Sequence, residues 1–336
     1  KVLFITNQNS FTRNGFNKLL GSDKHQVYND FSLNPKLTEV QHAIEKLREY
    51  CFDFIVGVGG GSAMDFAKTF YYFHKLNLTN TDQYLDHILN KKFTIPSGKL
   101  TLIPTTSGSG SEATHFSVIY NNDIKYSFAR DELIPEYVII DPIFTKDLPP
   151  KVTAYTGLDA IAHCIESFWA KGATKESKEY ALQGLKLLVP NIVKACKSPT
   201  PEIRTKMARG AHFAGKAINI SKTTAPHALS YRLTSHHNIP HGQAVGNLLY
   251  YFLDNTNELA EIKNIFKTDN LRNAFNKILI EIEMKIDIPI LVNNDLSFFN
   301  CVNIERLSNH PFSFDKKSLK NLFYEKSKKI EHLNQI

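Results

Sequence analysis

Residues 53–68 read DFIVGVGGGSAMDFAK, in which an apolar segment passes through three glycines into an amphipathic segment. The apolar segment lacks polar alternation, which is typical of a strand buried on both faces of a parallel sheet. Three further runs of the same kind are predicted to be strands: VLFIT (2–6), KLTLIPTT (99–106) and YVIIDP (137–142). Helical periodicity at 38–50 and 62–74 places helices between them. This pattern predicts an α/β, Rossmann-like N-terminal domain with a parallel sheet.

The pattern changes after Pro149 and Pro150, where the apolar runs become long and periodic at helical spacing. We predict helical segments over 153–170, 176–197, 201–219, 241–254, 257–267, 270–283 and 316–332. In this half, IDIPILV (286–292) is the nearest candidate for a strand. A chain of 336 residues is long enough for two domains. We therefore predict an α/β domain over 1–148 and an all-helical domain over 149–336.

Composition and charge narrow the classes of function. The net charge is +7, but many lysines lie in the predicted C-terminal helix and no zinc-finger or RNA-module spacing occurs, so no nucleic-acid partner is predicted. No apolar run approaches the roughly 20 residues that cross a bilayer, so no membrane partner is predicted. The cysteines contain no CxxC pair, which indicates free thiols and a cytoplasmic protein. They are Cys51, Cys164, Cys196 and Cys301.

The beginning of the chain, KVLFITNQNS, has none of the features of a secretion signal. It opens inside a predicted strand and without an initiator Met. We therefore expect that the chain lacks a natural N-terminal segment.

Two glycine-rich loops follow predicted strands. In the first, glycines and Ser62 stand between a strand and a helix, where the backbone and the helix N-terminus can approach a phosphate. A tight turn without a ligand explains the same residues equally well. The second loop, PTTSGSGSEAT (104–114), adds several hydroxyl groups after another strand. Ligands gather at that edge of open α/β sheets, so the two loops together favour a nucleotide site.

Asp159 and His163 stand four residues apart in DAIAHCIES (159–167), on one face of a predicted helix. This spacing suits two ligands of one metal ion, and it suits an ordinary Asp–His hydrogen bond equally well. His227 and His241 lie in a histidine-rich stretch further along the chain. One carboxylate and three imidazoles form a ligand set suited to Fe²⁺ or Zn²⁺. For any single histidine, a core or capping role is the alternative.

Four blocks of the chain resemble, in the same order, the signature blocks of the iron-containing (group III) alcohol dehydrogenases. They are GGGSAMDFAK (59–68), PTTSGSGSEAT (104–114), DPIFTKDLPPKVTAYTGLDAIAHCIES (141–167) and HALSYRLTSHHNIPHG (227–242). The resemblance implies the fold that this family shares with dehydroquinate synthases. It also implies a metal-dependent NAD(P)H alcohol dehydrogenase or aldehyde reductase, acting on a small molecule and forming a homodimer.

The same resemblance assigns residues to the site. The catalytic metal, Fe²⁺ or Zn²⁺, would be held in the helical domain by Asp159, His163, His227 and His241. The pyrophosphate loop maps to Gly59, Gly60, Gly61, Ser62 and Asp65, and the second cofactor loop to Thr105, Thr106, Ser109 and Thr114. Lys125 matches a lysine that contacts the cofactor, and Asn34 matches a position near the nucleotide. The α/β domain is therefore expected to bind the dinucleotide.

The chain departs from the family pattern at two positions. Where many members carry an Asp after the first strand, near the adenosine ribose, this chain has Asn7. Without that negative charge, NADPH becomes at least as acceptable as NADH. Tyr231 stands where many members carry a His assigned to proton relay, and an unperturbed Tyr titrates near 10. His236 and His237 are candidates to replace that function.

The stretch 221–242, SKTTAPHALSY and TSHHNIPHG in particular, further resembles the subgroup that reduces phosphonoacetaldehyde to 2-hydroxyethylphosphonate. Such an anionic substrate would need cationic partners, for which Arg130, Lys216, Lys222 and Arg232 are candidates by local sequence alone. Three alternatives stay open: a glycerol-dehydrogenase-like polyol oxidoreductase, a dehydroquinate-synthase-like cyclase, and a binding protein without catalysis. The cyclase is expected to use Glu as its first ligand, where this chain has Asp159.

Overall fold

The chain is described from a computed structural model, which divides into two compact units, Lys1–Leu148 and Pro149–Ile336. The residues that the structure describes are 1–13, 15–16, 25–90, 96–122, 124–253, 259–295, 297–300, 302–315 and 317–323. Within these residues, no helix is both long and apolar enough to span a lipid bilayer. Cys51, Cys164 and Cys196 are free thiols, whereas Cys301 lies outside the described residues.

The first unit alternates strands and helices. Its elements are β1 (Val2–Thr6), α1 (Gln8–Arg13), β2 (His25–Tyr28), α2 (Leu37–Lys46), β3 (Phe54–Gly59), α3 (Gly61–Phe73), α4 (Thr81–Leu89), β4 (Lys99–Pro104), β5 (Phe116–Asn121), β6 (Ile124–Ala129) and β7 (Tyr137–Val138). The strand predicted over 137–142 is thus confined to its first two residues. The antiparallel β5–β6 hairpin was not predicted from the sequence.

The five-stranded sheet of this unit is parallel throughout, in the order β2-β1-β3-β4-β7. Thr6 pairs with Val58, and Gly59 pairs with Pro104, so β1, β3 and β4 end at the same edge. The chain moves outward from β1 to β2 and then returns past β1 to β3. In open α/β sheets, ligands bind outside the carboxyl ends of the strands at such a reversal.

A continuous apolar cluster holds α3 against the sheet. Phe66 and Phe70 of α3 are buried together with Leu3 and Ile5 of β1 and Ile55 of β3. Burying one apolar side chain of this size stabilises the fold by about 1.5–3 kcal/mol. This packing fixes the position of the turn that joins β3 to α3.

The regular elements in the described residues of the second unit are all helices. Its helices are α5 (Pro150–Trp169), α6 (Lys175–Leu188), α7 (Ile192–Lys197), α8 (Pro201–Ser221), α9 (Ala225–Ser235), α10 (His241–Phe252), α11 (Ala260–Phe266), α12 (Leu271–Glu281), α13 (Ile288–Asn294) and α14 (Ile304–Ser308). Besides α9 and α14, which lie outside the predicted helical segments, three segments differ from expectation. Pro190 divides the segment predicted over 176–197 into α6 and α7, since Pro lacks the N–H that would continue the helix.

The second and third differences lie near the C-terminus. IDIPILV, the nearest strand candidate, contains α13, whose N-cap Asp287 accepts a hydrogen bond from the backbone N–H of Ile290. Asp at an N-cap and Pro in the first turn both favour a helix. Of the helix predicted over 316–332, residues 317–323 are helical, and those after 323 lie outside the described residues.

α5 is the central helix of the second unit, and small residues allow its neighbours to approach it closely. A methyl group at Gly184 of α6 would come within 2.6 Å of the Cys164 sulfur on α5. Gly242 of α10 is tighter still, because a Cβ there would overlap the carbonyl oxygen of Tyr155 and lie 2.9 Å from the Asp159 Cβ. The absence of a side chain at Gly242 therefore sets the distance between α10 and α5.

We predict that Gly242→Ala destabilises the protein, because the added methyl group must push α10 away from backbone atoms that cannot yield. The expected loss in the free energy of unfolding is about 3 kcal/mol, the upper range of overpacking costs. Gly246→Ala, on the same helix, meets only the Leu158 side chain at 3.2 Å and should cost far less. Urea unfolding followed by circular dichroism compares the two, and equal stabilities would contradict this account of the α5–α10 contact.

Candidate functional site

Three helices of the second unit bring a carboxylate and three histidines together. Asp159 and His163 lie one turn apart on α5, and both are buried. His227 lies in the first turn of α9, which Pro226 helps to start, and it is also buried. His241 is the first residue of α10, directly after Pro240, and is half-buried. The metal-ligand set suggested by the sequence is thus assembled from two helix starts and one helix centre.

The Oδ1 atom of Asp159 is the common neighbour of the three imidazoles. It lies 3.4 Å from the Nε2 of His227, 3.7 Å from that of His163 and 3.9 Å from that of His241. One ligand atom each from Asp159, His227 and His241 fall within 4.8 Å of one another. His163 lies beside this group of three. Its ring stacks on the His227 ring, with centroids 4.7 Å apart.

Two of these atoms are buried without a hydrogen-bond partner, namely Oδ1 of Asp159 and Nε2 of His227. These two atoms face each other at 3.4 Å as an ion pair. Leaving a buried polar atom without a hydrogen bond costs about 1–3 kcal/mol, so an ion shared between them would relieve that cost. A metal held by oxygen and nitrogen ligands at about 2.0–2.2 Å would place its ligand atoms roughly 3–3.5 Å apart. The donor set and its unpaired atoms therefore fit a divalent cation.

Glu166 is a fully buried carboxylate behind this cluster that the sequence reasoning missed. Its Oε1 atom contacts the Nδ1 of His227, and its Oε2 atom accepts hydrogen bonds from the backbone N–H of Thr224, at 2.6 Å, and from its hydroxyl, at 2.8 Å. The Trp169 indole in turn donates to that hydroxyl at 2.9 Å. A carboxylate on Nδ1 fixes the proton there and turns Nε2 toward Asp159, as is usual for metal-binding histidines.

The pKa shifts reflect this crowding of charges. Burial opposes ionisation of Asp159, but the neighbouring imidazoles outweigh it and lower the pKa of that carboxyl group. Burial lowers the pKa of His163 to about 4. Burial also opposes charge on His227, yet Glu166 and Asp159 raise its pKa to about 9. Two ionised carboxylates thus require a compensating cation among the imidazoles, which a proton or a metal ion can supply.

In the first unit, the two glycine-containing loops follow the adjacent strands β3 and β4 and touch each other. Gly59 has φ +157° and ends β3, and Gly60 is the N-cap of α3. A Cβ at Gly60 would lie 3.3 Å from Thr106, and one at Gly61 would lie 3.1 Å from Ser109. The second loop therefore packs directly on the glycines, leaving the N–H groups of the first turn of α3 at this edge.

Other predicted cofactor residues in this unit make contacts within the protein. The Ser62 hydroxyl donates to the carbonyl of Leu33, beside Asn34, whose own carbonyl accepts from Ser32. Thr105 is buried, its backbone N–H donates to Gly59, and its hydroxyl has no hydrogen-bond partner. Of the predicted set, Thr105 therefore presents a buried hydroxyl that a ligand could satisfy.

Asp65 and Thr114 serve chiefly to hold the second loop. Asp65 accepts from the Ser111 hydroxyl at 2.6 Å and from the N–H of Val118 at 3.2 Å. The buried ammonium of Lys68 donates to the Thr114 carbonyl at 2.6 Å. These contacts fasten the second loop to α3.

Lys125 and Asn7 occupy different parts of the first unit. Lys125 is half-buried on β6, paired with Tyr120 across the hairpin, and its charge acts on Asp65. Asn7 follows β1 at the reversal of the sheet, and its carbonyl accepts from the N–H of Phe11 at the start of α1. Asn7 is thus placed at the same edge as Gly59.

The remaining candidates from the sequence, two histidines and four cations, contact other groups of the protein. His236 contacts the Ser235 hydroxyl at 2.7 Å, and His237 lies 3.3 Å from Asp295. The four proposed anion-binding cations have other partners: Arg130 donates to the carbonyls of His87 and Ile88, Lys216 lies over the Tyr180 ring, Lys222 pairs with Glu305, and Arg232 pairs with Asp295. None of these contacts supports a role in binding a phosphonate group.

Comparison with known protein families identifies the same family along both units of the chain. A family model for iron-containing alcohol dehydrogenase matches residues 1–142, and a model for the C-terminal part of the Fe-containing alcohol dehydrogenase family matches residues 153–280. The chain belongs to the iron-containing alcohol dehydrogenase family.

Individual relatives of this family differ in how much of their length is matched. Long-chain-alcohol dehydrogenase 1 of Geobacillus thermodenitrificans is 36% identical over 236 residues, which cover 68% of this chain and 58% of that relative. The NADPH-dependent butanol dehydrogenase of Clostridium saccharobutylicum is 27% identical over 357 residues, covering 96% of this chain and 90% of the relative.

A solved structure extends the comparison to the fold. The sulfoacetaldehyde reductase from Bifidobacterium kashiwanohense, crystallised in complex with NAD⁺, matches with a TM-score of 0.88 and 29% identity. The match covers 97% of this chain and 90% of that one. The predicted fold class, an α/β unit followed by a helical unit as in iron-containing alcohol dehydrogenases, is therefore confirmed.

We predict that Glu166→Gln weakens metal binding about 10- to 100-fold while the protein remains folded, because the amide orients His227 less strongly than a carboxylate. Ser230→Ala is the matched control, since the Ser230 hydroxyl donates to the His227 carbonyl and does not touch its ring. Titration of the metal-free protein with Zn²⁺ or Co²⁺ measures both affinities. If Glu166→Gln binds metal as tightly as Ser230→Ala, the assigned role of Glu166 is wrong.

Proposed function

We propose that the protein is a metal-dependent, NAD(P)H-linked alcohol dehydrogenase or aldehyde reductase of small substrates. The observation that carries this proposal is the meeting of Asp159 Oδ1 with three imidazole Nε2 atoms, two of the four atoms being buried and unpaired. Family membership supports it, since the relatives described above are alcohol dehydrogenases and an aldehyde reductase. That support favours oxidoreduction over the cyclase and over a binding protein.

In this proposal the residues of the second unit hold a single Fe²⁺ or Zn²⁺ ion. Asp159, His163, His227 and His241 bind it, and Glu166 keeps His227 turned toward it. When bound, the metal supplies a Lewis acid for the carbonyl group and the dinucleotide supplies the hydride. The buried carboxylate of Asp159 balances part of the ion's positive charge.

The residues of the first unit bind the dinucleotide. The glycines 59–61 at the start of α3 receive the pyrophosphate, since uncapped N–H groups and the helix dipole favour an anion there. The Thr105 hydroxyl is a further candidate contact. Asn7 stands at the reversal of the sheet. Because its side chain is neutral, it repels neither NADH nor NADPH. Among the relatives, one is named as NADPH-dependent and another was crystallised with NAD⁺.

Short aldehydes are one class of substrate that this proposal accommodates. The sulfoacetaldehyde reductase with the same fold supports a two-carbon aldehyde that carries an oxyanion. Phosphonoacetaldehyde, suggested by the stretch 221–242, has the same shape and a similar charge. Either compound would be reduced at the carbonyl carbon, with the proton for the resulting alcohol supplied by solvent.

The proposed function is tested by an aldehyde panel. The purified protein is stripped with a chelator, reloaded with Fe²⁺ or Zn²⁺, and assayed with NADH and with NADPH by the loss of reduced-nicotinamide absorbance. We expect no turnover after stripping and restored turnover with one of the metals. If every aldehyde and alcohol in the panel fails with both metals and both nucleotides, the proposed function is excluded.

We predict that His241→Ala removes bound metal and abolishes turnover while the dinucleotide still binds, because the first unit is unchanged. His236→Ala is the control, since the exposed His236 side chain contacts the Ser235 hydroxyl. Metal content by mass spectrometry, turnover and NADH fluorescence together give the three readouts. Retained metal and activity in His241→Ala would remove His241 from the ligand set.

We predict that Asn7→Asp raises the preference for NADH over NADPH about tenfold or more, because a carboxylate beside the ribose repels a 2′-phosphate. Asp is as good an N-cap as Asn, so the start of α1 should tolerate the change. The kcat/KM values for both nucleotides with one aldehyde measure the preference. An unchanged ratio would show that residue 7 does not contact the ribose.

A further inference from the structure

The turn between α8 and α9 contains a residue in a backbone conformation that glycine adopts readily and other residues rarely do. Lys222, the C-cap of α8, has φ +61° and ψ 177°. An L-residue keeps this conformation only where the surrounding contacts enforce it. The Lys222 ammonium lies 2.6 Å from the Glu305 carboxylate, but both groups are at least half exposed, so this pair contributes little. The backbone of the turn must therefore be held by other groups.

Asn309, which follows α14, contacts the backbone on both sides of Lys222 with one amide group. Its Nδ2 atom donates to the carbonyl of Ser221 at 2.8 Å and to that of Thr223 at 3.0 Å. Its Oδ1 atom accepts from the backbone N–H of Gly172 at 3.0 Å. The carbonyls before and after Lys222 are thus held toward a single donor group, which restricts rotation of the backbone between them.

The position of Asn309 is in turn fixed by the end of α5. The carbonyl of Asn309 accepts from the backbone N–H of Lys171 at 2.9 Å. Gly172 approaches the turn so closely that a Cβ there would lie 3.0 Å from the carbonyl oxygen of Ser221. The Ser221 hydroxyl also lies 2.8 Å from the Ser167 hydroxyl on α5. The turn is therefore attached to the helix that carries two of the proposed metal ligands.

α14 makes a second contact with this turn through Arg306. The Nη1 atom of Arg306 donates to the Thr223 hydroxyl, and its Nε atom donates to the Tyr231 hydroxyl on α9 at 3.1 Å. At the start of α14, the N–H of Asn303 donates to the carbonyl of Ala228 at 3.2 Å. α14 and the residue after it therefore hold both the turn and the helix that follows.

The turn leads directly into the contacts that orient His227. Thr224, the N-cap of α9, donates to the Glu166 carboxylate through its backbone N–H at 2.6 Å and its hydroxyl at 2.8 Å. The other oxygen of Glu166 contacts the Nδ1 atom of His227. Rotation of the backbone at 221–223 would move Thr224 away from Glu166. The carboxylate that orients the His227 ring would then lose both of these hydrogen bonds.

We propose that Asn309 is a positioning residue of the metal site, because it holds the turn at Lys222 in the conformation that presents His227 to the ion. Its effect passes through the turn to Thr224 and Glu166. This proposal rests on the proposed function, since it requires that the ligand set of the second unit binds a metal. It adds to that function a residue whose described hydrogen bonds reach backbone groups.

The proposal is tested by measuring the affinity of the metal-free protein for Co²⁺, whose visible absorption reports the geometry of its ligands. Asn309→Ala should weaken Co²⁺ binding about tenfold, the lower end of the range for groups that orient metal ligands, and change the absorption spectrum. Ser308→Ala is the matched control, since the Ser308 hydroxyl donates within α14 to the Glu305 carbonyl at 2.8 Å. This control should bind Co²⁺ as the wild type does. The affinity for NADH should be the same in both variants, because the dinucleotide is assigned to the first unit.

A second substitution separates the conformation of Lys222 from a general loss of packing. In the Asn309→Ala background, Lys222→Gly should recover most of the lost Co²⁺ affinity, because glycine adopts positive φ readily. Lys222→Ala removes the same ion pair with Glu305 but retains a Cβ, so it should recover none of that affinity. If the two double variants bind Co²⁺ equally, Asn309 does not act through the turn and the proposal is wrong.

Two further measurements keep the test decisive if Asn309→Ala does not fold. Asn309→Asp retains the acceptor for Gly172 and loses both donations across Lys222, so it should also weaken Co²⁺ binding. In the chain with Asn309 intact, Lys222→Gly should unfold at a higher urea concentration than Lys222→Ala. Wild-type Co²⁺ affinity in Asn309→Asp, or an equal or reversed order of the two Lys222 variants, would overturn the proposal.

The outcomes distinguish this proposal from the proposed function. If the wild type and Asn309→Ala bind Co²⁺ with equal affinity, the role of Asn309 is wrong and the metal-dependent function stands. Lower stability of Asn309→Ala with unchanged Co²⁺ affinity would assign Asn309 a structural role alone and overturn the proposal as well. If the wild type binds no metal, both proposals fail.

Discussion

The second unit depends on one electrostatic constraint, the burial of the Asp159 carboxylate. Removing such a charge from water costs several kcal/mol unless other groups compensate for it. Here the Oδ1 atom of Asp159 faces three imidazoles on α5, α9 and α10, among which His227 has its pKa raised to about 9, and a second buried carboxylate, Glu166, contacts His227. The helices must therefore meet within a narrow range of positions, and the small residues between them, such as Gly242, make that approach possible.

The residues Asp159, His163, His227 and His241 were easier to single out from the sequence than their surroundings. Helical periodicity puts Asp159 and His163 on one face of a helix, and His227 and His241 stand out in a histidine-rich stretch and through the family resemblance. Glu166 lies in the same quoted stretch, seven residues after Asp159, yet its contact with His227 joins two helices and leaves no local pattern. The hydrogen bonds of Arg306 to Tyr231 and Thr223 were missed for the same reason, since those two residues are 75 and 83 positions away.

The fold could be predicted where the local sequence pattern was compatible with only one type of secondary structure. The apolar runs at 2–6, 53–61 and 99–106 contain central strands, because strands buried on both faces lack polar alternation. The β5–β6 hairpin has a weaker local signal, because in β5 only Ser117 and Ile119 are buried and the pairing is antiparallel, unlike that of the main sheet. At 286–292, branched apolar residues suggested a strand, but the N-cap Asp287 and the following Pro decide the local structure in favour of a helix.

The buried ammonium of Lys68 gives the first unit a property that its hydrogen bonds alone do not express. Together with Asp65, it fastens the loop after β4 and the start of β5 to α3 through contacts internal to the protein. Burial lowers the pKa of this lysine to about 8, so the protein bears a desolvation cost there in the absence of any ligand. The loop is held in place by contacts within the protein, and if it receives the dinucleotide as proposed, binding loses less affinity to the entropy of arranging the receptor.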